Sequence, residues 1–160
     1  MKQVNLLISG ITSALLVTTM LFSCKKENTT SVSNSITWTI NGSSFDGSSS
    51  SFAQRLGSAP TIVIQGKSSD CILSFNLMNA DTTGSYIAKL LTTEPNSAFV
   101  NVMRNNIEYD AVYCLAGEKV VIRVTSLSAE SIKATFEGVV RSAASDVLNL
   151  SGSFQLKIRP

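Results

Sequence analysis

The sequence predicts an all-β domain, an antiparallel sandwich or meander barrel of about nine to eleven strands, with a lipocalin-like closed barrel as the alternative. Three observations carry this. Apolar and polar residues alternate with period two along most of residues 36–160, the pattern of strands with one packed and one wet face. Short clusters of Gly, Ser, Asn and Pro interrupt the alternation at close intervals. No connection is long enough for a series of crossover helices.

The elements follow in order. Ile36, Trp38 and Ile40 alternate with Thr37, Thr39 and Asn41, and Asn41-Gly42 can take the positive φ of a tight hairpin. Phe45 and Asp46-Gly47 continue it, and residues 48–51 form a serine-rich link. Strands are expected at 52–56 and 61–65, broken by Gly57-Ser58-Ala59-Pro60. After a turn at 66–70, residues 71–77 place Cys71, Leu73, Phe75 and Leu77 on one face. Residues 79–84 (NADTTG) are a loop by composition. Residues 86–91 fit either a strand or a short helical turn. A second hairpin is expected from 99–104, Asn105-Asn106 and 107–115, with Ile107, Tyr109, Ala111 and Tyr113 sharing a face. The last three strands, near 120–125, 132–141 and 148–159, alternate most regularly. Gly138 and Gly152 fall on inward faces beside Phe136 and Phe154, as at a bend or a close backbone approach.

The first 35 residues have a different character. Lys2 precedes an apolar run from Val4 to Phe22, which ends in Leu21-Phe22-Ser23-Cys24. That is the order of an export signal: basic, apolar, small, cleavage. The run approaches the ~20 residues of a spanning helix, but Ser9, Gly10, Thr12, Ser13, Thr18 and Thr19 dilute it. Leu-Phe-Ser-Cys resembles the lipobox of bacterial lipoproteins, in which the cysteine is lipidated and becomes the new N-terminus. The domain plan is therefore a signal peptide over 1–23, lipidated Cys24 with a flexible tether over 24–35, and one all-β domain over 36–160. A polar tether of that kind spans about 17 Å r.m.s..

The charges are 13 Lys+Arg against 11 Asp+Glu. No strong field exists to recruit nucleic acid. The chain contains no histidine, which removes the commonest general base and the commonest metal ligand. No G-x-S-x-G, C-x-x-C, calcium-loop or phosphate-loop pattern occurs. The sequence therefore calls for no metal, no cofactor and no catalytic residue. Glu108 and Asp110 lie two apart on a strand and are the nearest approach to a carboxylate pair. On an open face they are expected to be solvated. Trp38, Tyr86, Tyr109 and Tyr113 are the side chains that could stack a sugar, against the plainer reading of core packing. Cys71 and Cys114 form an even pair in an oxidising compartment. A disulfide between them stays open, although Cys114 would share a polar face with Glu108 and Asp110.

The mature segments resemble a family of uncharacterised Bacteroidota lipoproteins, a domain of unknown function. The residues that carry this are Ile36-Thr37-Trp38-Thr39-Ile40-Asn41-Gly42 with Phe45, then Thr83-Gly84-Ser85-Tyr86 and Ile122-Arg123-Val124-Thr125. Ile132-Lys133-Ala134-Thr135-Phe136-Glu137-Gly138 and Leu150-Ser151-Gly152-Ser153-Phe154 complete it. Ala134 stands where that family usually has glycine. The resemblance implies an anchor and a fold, not a chemistry. Lys25 after Cys24 is similar to sorting signals for the outer membrane of Gram-negative bacteria, facing the periplasm or the surface. Asp81-Thr82-Thr83 resembles the O-glycosylation signal of the same group, with Thr82 as acceptor. The expectation is an envelope lipoprotein held to the membrane by its N-terminal lipid. It would serve as a non-catalytic binding or structural module for a glycan or protein partner. A carboxylate-dependent hydrolase acting on glycans is the alternative.

Overall fold

The computed structural model describes residues 33–57, 60–90 and 94–159. The expected signal peptide, Cys24 and the tether up to residue 32 lie outside the described residues. The chain is all-β, with strands β1 (Ser35–Ile40), β2 (Ser43–Asp46), β3 (Phe52–Leu56), β4 (Thr61–Lys67), β5 (Cys71–Leu77) and β6 (Gly84–Ala88). They are followed by β7 (Ala98–Arg104), β8 (Ile107–Asp110), β9 (Val120–Leu127), β10 (Ser131–Ser142) and β11 (Val147–Arg159). Short 3-10 turns occupy Ser48–Ser50 and Ala111–Tyr113.

All eleven strands belong to one sheet that closes on itself. β3, β4, β5, β7, β8, β10 and β11 form a ring of seven strands. The β1–β2 hairpin is attached to β11, and β9 with β6 to β10. The two long strands make this possible. β11 pairs with β1 over residues 150–155, and then its last residues, Ile158 and Arg159, pair with β3. β10 pairs with β9 over residues 132–138, and then Arg141 and Ser142 pair with β8. Each long strand thus serves two neighbours in succession. The β3–β11 pair is parallel, which departs from the antiparallel expectation. It is only two residues long, because its task is to join the end of the chain to a strand far earlier in sequence.

The inward residues form one hydrophobic core. Phe75 on β5 meets Phe136 on β10 at 4.8 Å and Phe154 on β11 at 5.7 Å between ring centroids. These tilted contacts are favoured by the ring quadrupoles and pack the centre of the interior. Gly152 sits on β11 directly between Trp38 of β1 and Phe136 of β10. A Cβ there would lie 2.6 Å from Phe136 Cζ and 2.8 Å from Trp38 Cα, so the glycine makes room for the Phe136 ring and for the close approach of the β1 backbone. Gly138 has φ +152° and presses against the Lys119 carbonyl, a conformation and a closeness that a side chain would forbid. Both inward glycines therefore mark close approaches, as their positions imply.

Local chemistry explains the boundaries. Asn41 and Gly42 have φ +48° and +83°, and Asn105 and Asn106 have +51° and +63°. Both are two-residue hairpin turns with positive φ at each central position. Of residues 86–91, the first three belong to strand β6, which ends at Ala88, and Leu91 lies outside the described residues. Tyr86 and Ala88 point inward, and the strand pairs with β9. Strand β1 begins at Ser35, within the expected tether, and Asn34 Oδ1 accepts the Lys157 N–H at 2.8 Å. The serine-rich link contains a 3-10 turn, and β4 runs on to Lys67.

The expected strand over 107–115 stops at Asp110 instead. The Asp110 carboxylate accepts the Val112 N–H at 2.8 Å and starts a 3-10 turn, a local bond that competes with continued strand pairing. The shared face expected for 107–113 is broken as a result. Tyr109 and Ala111 are buried, whereas Ile107 and Tyr113 are exposed. Cys114 swings into the core rather than onto a polar face.

Candidate functional site

The β1–β2 hairpin and the serine-rich 3-10 turn face the β4–β5 turn and the end of β7 across a depression. A cleft of about 780 Å³ lies there. One wall is β2 with the serine-rich 3-10 turn, and the other is the end of β4 with the turn Ser68–Asp70. Arg104 reaches in from the end of β7.

Each wall is positioned by its own sequence. The Asn41-Gly42 turn brings Phe45 directly opposite Trp38, with rings stacked at 5.7 Å and only 12° apart. Asp46 Oδ1 accepts the Ser48 N–H at 2.8 Å, an Asx-type bond that bends the chain out of the strand. The Ser48 hydroxyl first, and then this backbone bond, hold the Asp46 carboxyl below its ordinary pKa. Ser48 Oγ then accepts the Ile36 N–H at 3.1 Å, tying the turn to β1. On the far wall Ser68 N donates to the Cys71 carbonyl at 2.9 Å, and Asn105 N donates to the Asp70 carbonyl at 3.4 Å. The second bond links the two turns. Arg104 takes the inward-facing place after Val100 and Val102. Its guanidinium lies 5.3 Å over the Phe45 ring, a cation–π contact. Trp38, Phe45 and Arg104 therefore form a three-tier stack from core to cleft.

The lining is rich in hydroxyls and balanced in charge. Six serines contribute, four between Ser43 and Ser50 and two at Ser68 and Ser69. Lys67 and Arg104 oppose Asp46 and Asp70. Two smaller hollows adjoin the cleft. One, of about 390 Å³, shares Ser44, Phe45 and Asp46 with it. The other, of about 190 Å³, shares Lys67 through Asp70. Three buried side-chain atoms among the described residues have no hydrogen-bond partner: Trp38 Nε1, Ser68 Oγ and Arg104 Nε. Ser68 and Arg104 line the cleft, and Trp38 belongs to the stack beneath it. Buried polar groups are ordinarily satisfied; Trp38 Nε1 faces the Cys71 thiol, so Ser68 and Arg104 are the two that mark the place out.

The sequence-derived candidates fall in several places. Trp38 supports the cleft but is itself buried. Tyr86 is a core residue whose hydroxyl donates to the Thr82 carbonyl at 2.8 Å, and burial raises its pKa. Tyr109 is also buried, and Tyr113 lies exposed on the 3-10 turn after β8. Glu108 accepts from Asn101 Nδ2, and Asp110 caps the 3-10 turn. Neither lines the cleft. Thr82 sits in an exposed loop, open to a modifying enzyme. Among the described residues, no group of three or more His, Cys, Asp or Glu could hold a metal ion.

Cys71 and Cys114 are both buried and unbonded, so the disulfide left open by the sequence is absent. Each thiol occupies its own packing site. Cys114 Sγ donates to the Val139 carbonyl at 3.1 Å. Cys71 lies on β5 under the stack, where burial raises its pKa and the Trp38 indole opposes that rise. Burial likewise raises Cys114, with the nearby Glu118 carboxylate adding to it.

Phe45, Arg104 and the serines escaped the sequence reading. The signal for Arg104 was present: a charge at an inward position, just before an Asn-Asn turn. The serines signalled less, because hydroxyl-rich turns are common wherever strands end. Compared with protein-family models, curated proteins and solved structures, the chain matches none.

Proposed function

We propose that this protein is a lipid-anchored envelope lipoprotein whose β-domain is a non-catalytic binding module, working through the Arg104 cleft. The anchor rests on the leader ending in Leu21-Phe22-Ser23-Cys24 and on the resemblance to Bacteroidota lipoproteins, outer-membrane sorting included. The binding reading rests on one observation: Ser68 and Arg104, each with a buried polar atom that has no hydrogen-bond partner, both belong to the lining of the hydroxyl-rich cleft.

Proton-transfer chemistry finds little support in the same place. A general acid acting on glycosides needs a carboxyl with a raised pKa. Asp46 is lowered instead and is engaged by Ser48.

Two measurements test the proposal. The intact mass of chain extracted from membranes should start at Cys24 and carry acyl mass, with a further glycan increment that Thr82→Ala removes. Cys24→Ala should leave the membrane fraction with its β-domain folded. A chain that starts at Met1, or an unacylated Cys24, refutes the anchor. Purification of the full chain under gentle detergent should then retain a ligand that Arg104→Gln releases. Equal ligand content in the two proteins refutes the cleft.

A further inference from the structure

Resting on that reading of the cleft, we propose that its ligand is a neutral glycan chain: uncharged, hydroxyl-bearing sugar rings laid along the groove between β2 and the Ser68–Asp70 turn. Four observations lead there.

The first is the kind of polar group present. Serine hydroxyls both donate and accept, Asp46 and Asp70 accept, and Lys67 and Arg104 donate. A sugar hydroxyl also donates and accepts, so it can be met from either wall. The second is charge. Two cations face two anions across the lining. An acidic polymer would gain from Lys67 and Arg104 and lose to Asp46 and Asp70, leaving no net attraction.

The third is the scarcity of apolar surface. Phe45 is the sole apolar residue on the cleft wall, and Trp38 and Arg104 cover its ring. A peptide would need pockets for its apolar side chains, and none lines this cleft. The fourth is shape. At about 780 Å³ the cleft falls within the ~300–1,000 Å³ of ligand sites. Two smaller hollows adjoin it, one sharing Phe45 with it and the other Ser68. A cleft of that volume with hollows beside it has room for more than one sugar ring. Arg104 and Ser68, both on the lining of the groove, are the side chains that would grip it.

The chain carries its own reporter. Trp38 is its only tryptophan and stacks on Phe45. The test titrates the full lipidated chain, in detergent micelles, with neutral tetrasaccharides of the gluco-, manno-, galacto-, xylo- and fructo-series. Oligogalacturonate of matched length is the acidic comparator. The expected result is a saturable change in Trp38 emission with at least one neutral series. It should be nearly unchanged between about 50 and 500 mM salt, a range over which exposed charge attraction is strongly screened. Arg104→Gln and Ser68→Ala should each weaken it about tenfold or more, with circular dichroism unaltered; Arg104→Gln also loses its contact over Phe45, so both variants are titrated well below their melting transitions.

Two results overturn the inference. One is a response confined to oligogalacturonate and abolished by salt. The other is silence across all the neutral series. A further titration separates this failure from failure of the cleft itself. If the envelope ligand recovered with the wild-type chain still shifts Trp38 emission and Arg104→Gln blocks it, the cleft stands and only the glycan class falls. If nothing shifts Trp38 emission, both fall.

Discussion

Trp38 and Phe45 face each other across the β1–β2 hairpin, rings 5.7 Å apart and nearly parallel. One is fully buried and the other half-exposed, so the pair joins the core to the cleft. Phe45→Ala should uncover Trp38, red-shift its emission and cost about 1–3 kcal/mol, the worth of a partly buried ring with its aromatic pairing. Trp38→Ala should cost more, about 3–5 kcal/mol. Chemical denaturation of both single variants and the double variant checks this. The two losses should not add, because they remove one shared contact.

The long strands should be least tolerant at their glycines. Gly152→Ala places a methyl against Phe136 and the Thr37 carbonyl, and overpacking of this kind costs about 1–3 kcal/mol. Gly138→Ala should cost more, since it adds strain at φ +152° to a collision with the Lys119 backbone. Thermal melts should rank them in that order below the parent. A control substitution at exposed Ser126, on the neighbouring strand β9, should stay within about 0.5 kcal/mol of it.

Acid should weaken the segment after the second 3-10 turn. Arg141 donates from Nη2 to Glu118 Oε1 at 2.6 Å and from Nε to Oε2 at 2.7 Å. Leu115 N donates to Oε2 at 2.8 Å. The Arg141 hydrogen bonds, then the Leu115 bond, lower the Glu118 pKa from 4.5 to about 2. A carboxylate lowered in the folded state stabilises it above the unfolded pKa, and that contribution disappears as pH falls through the folded value. Melting temperature should therefore drop between pH 4.5 and 2. Glu118→Gln should lie lower at neutral pH and fall less steeply over that interval.

The two core thiols should be inert in the folded protein. Both are buried, and burial raises both pKa values, so little thiolate is available to react. Titration with a thiol reagent near pH 8 should find neither accessible natively. Under denaturing, non-reducing conditions Cys71 and Cys114 should both react. No gain of thiols on denaturation would mean that the two are oxidised.

Some features were legible because they depend on near neighbours. Asn41-Gly42 and Asn105-Asn106 announce hairpins, since few other pairs accept positive φ twice. The alternation through 132–158 announces long strands with one packed face. Asp110 shows how a local rule can mislead. The apolar period continues to residue 115, yet one side-chain bond to Val112 N ends the strand and redirects Cys114 into the core.

The sequence by itself determined the all-β class, the hairpin turns and the two inward glycines. Each follows from backbone freedom and side-chain period within a few residues. Only the tertiary structure decided that β10 and β11 would each serve two neighbours and close a ring, because the closing β11–β3 pair joins Ile158 to Ala53, about a hundred positions apart. It likewise decided where the cleft lies. Phe45, Ser68 and Arg104 come from three separate strand ends. No periodicity connects them until the ring brings those ends together.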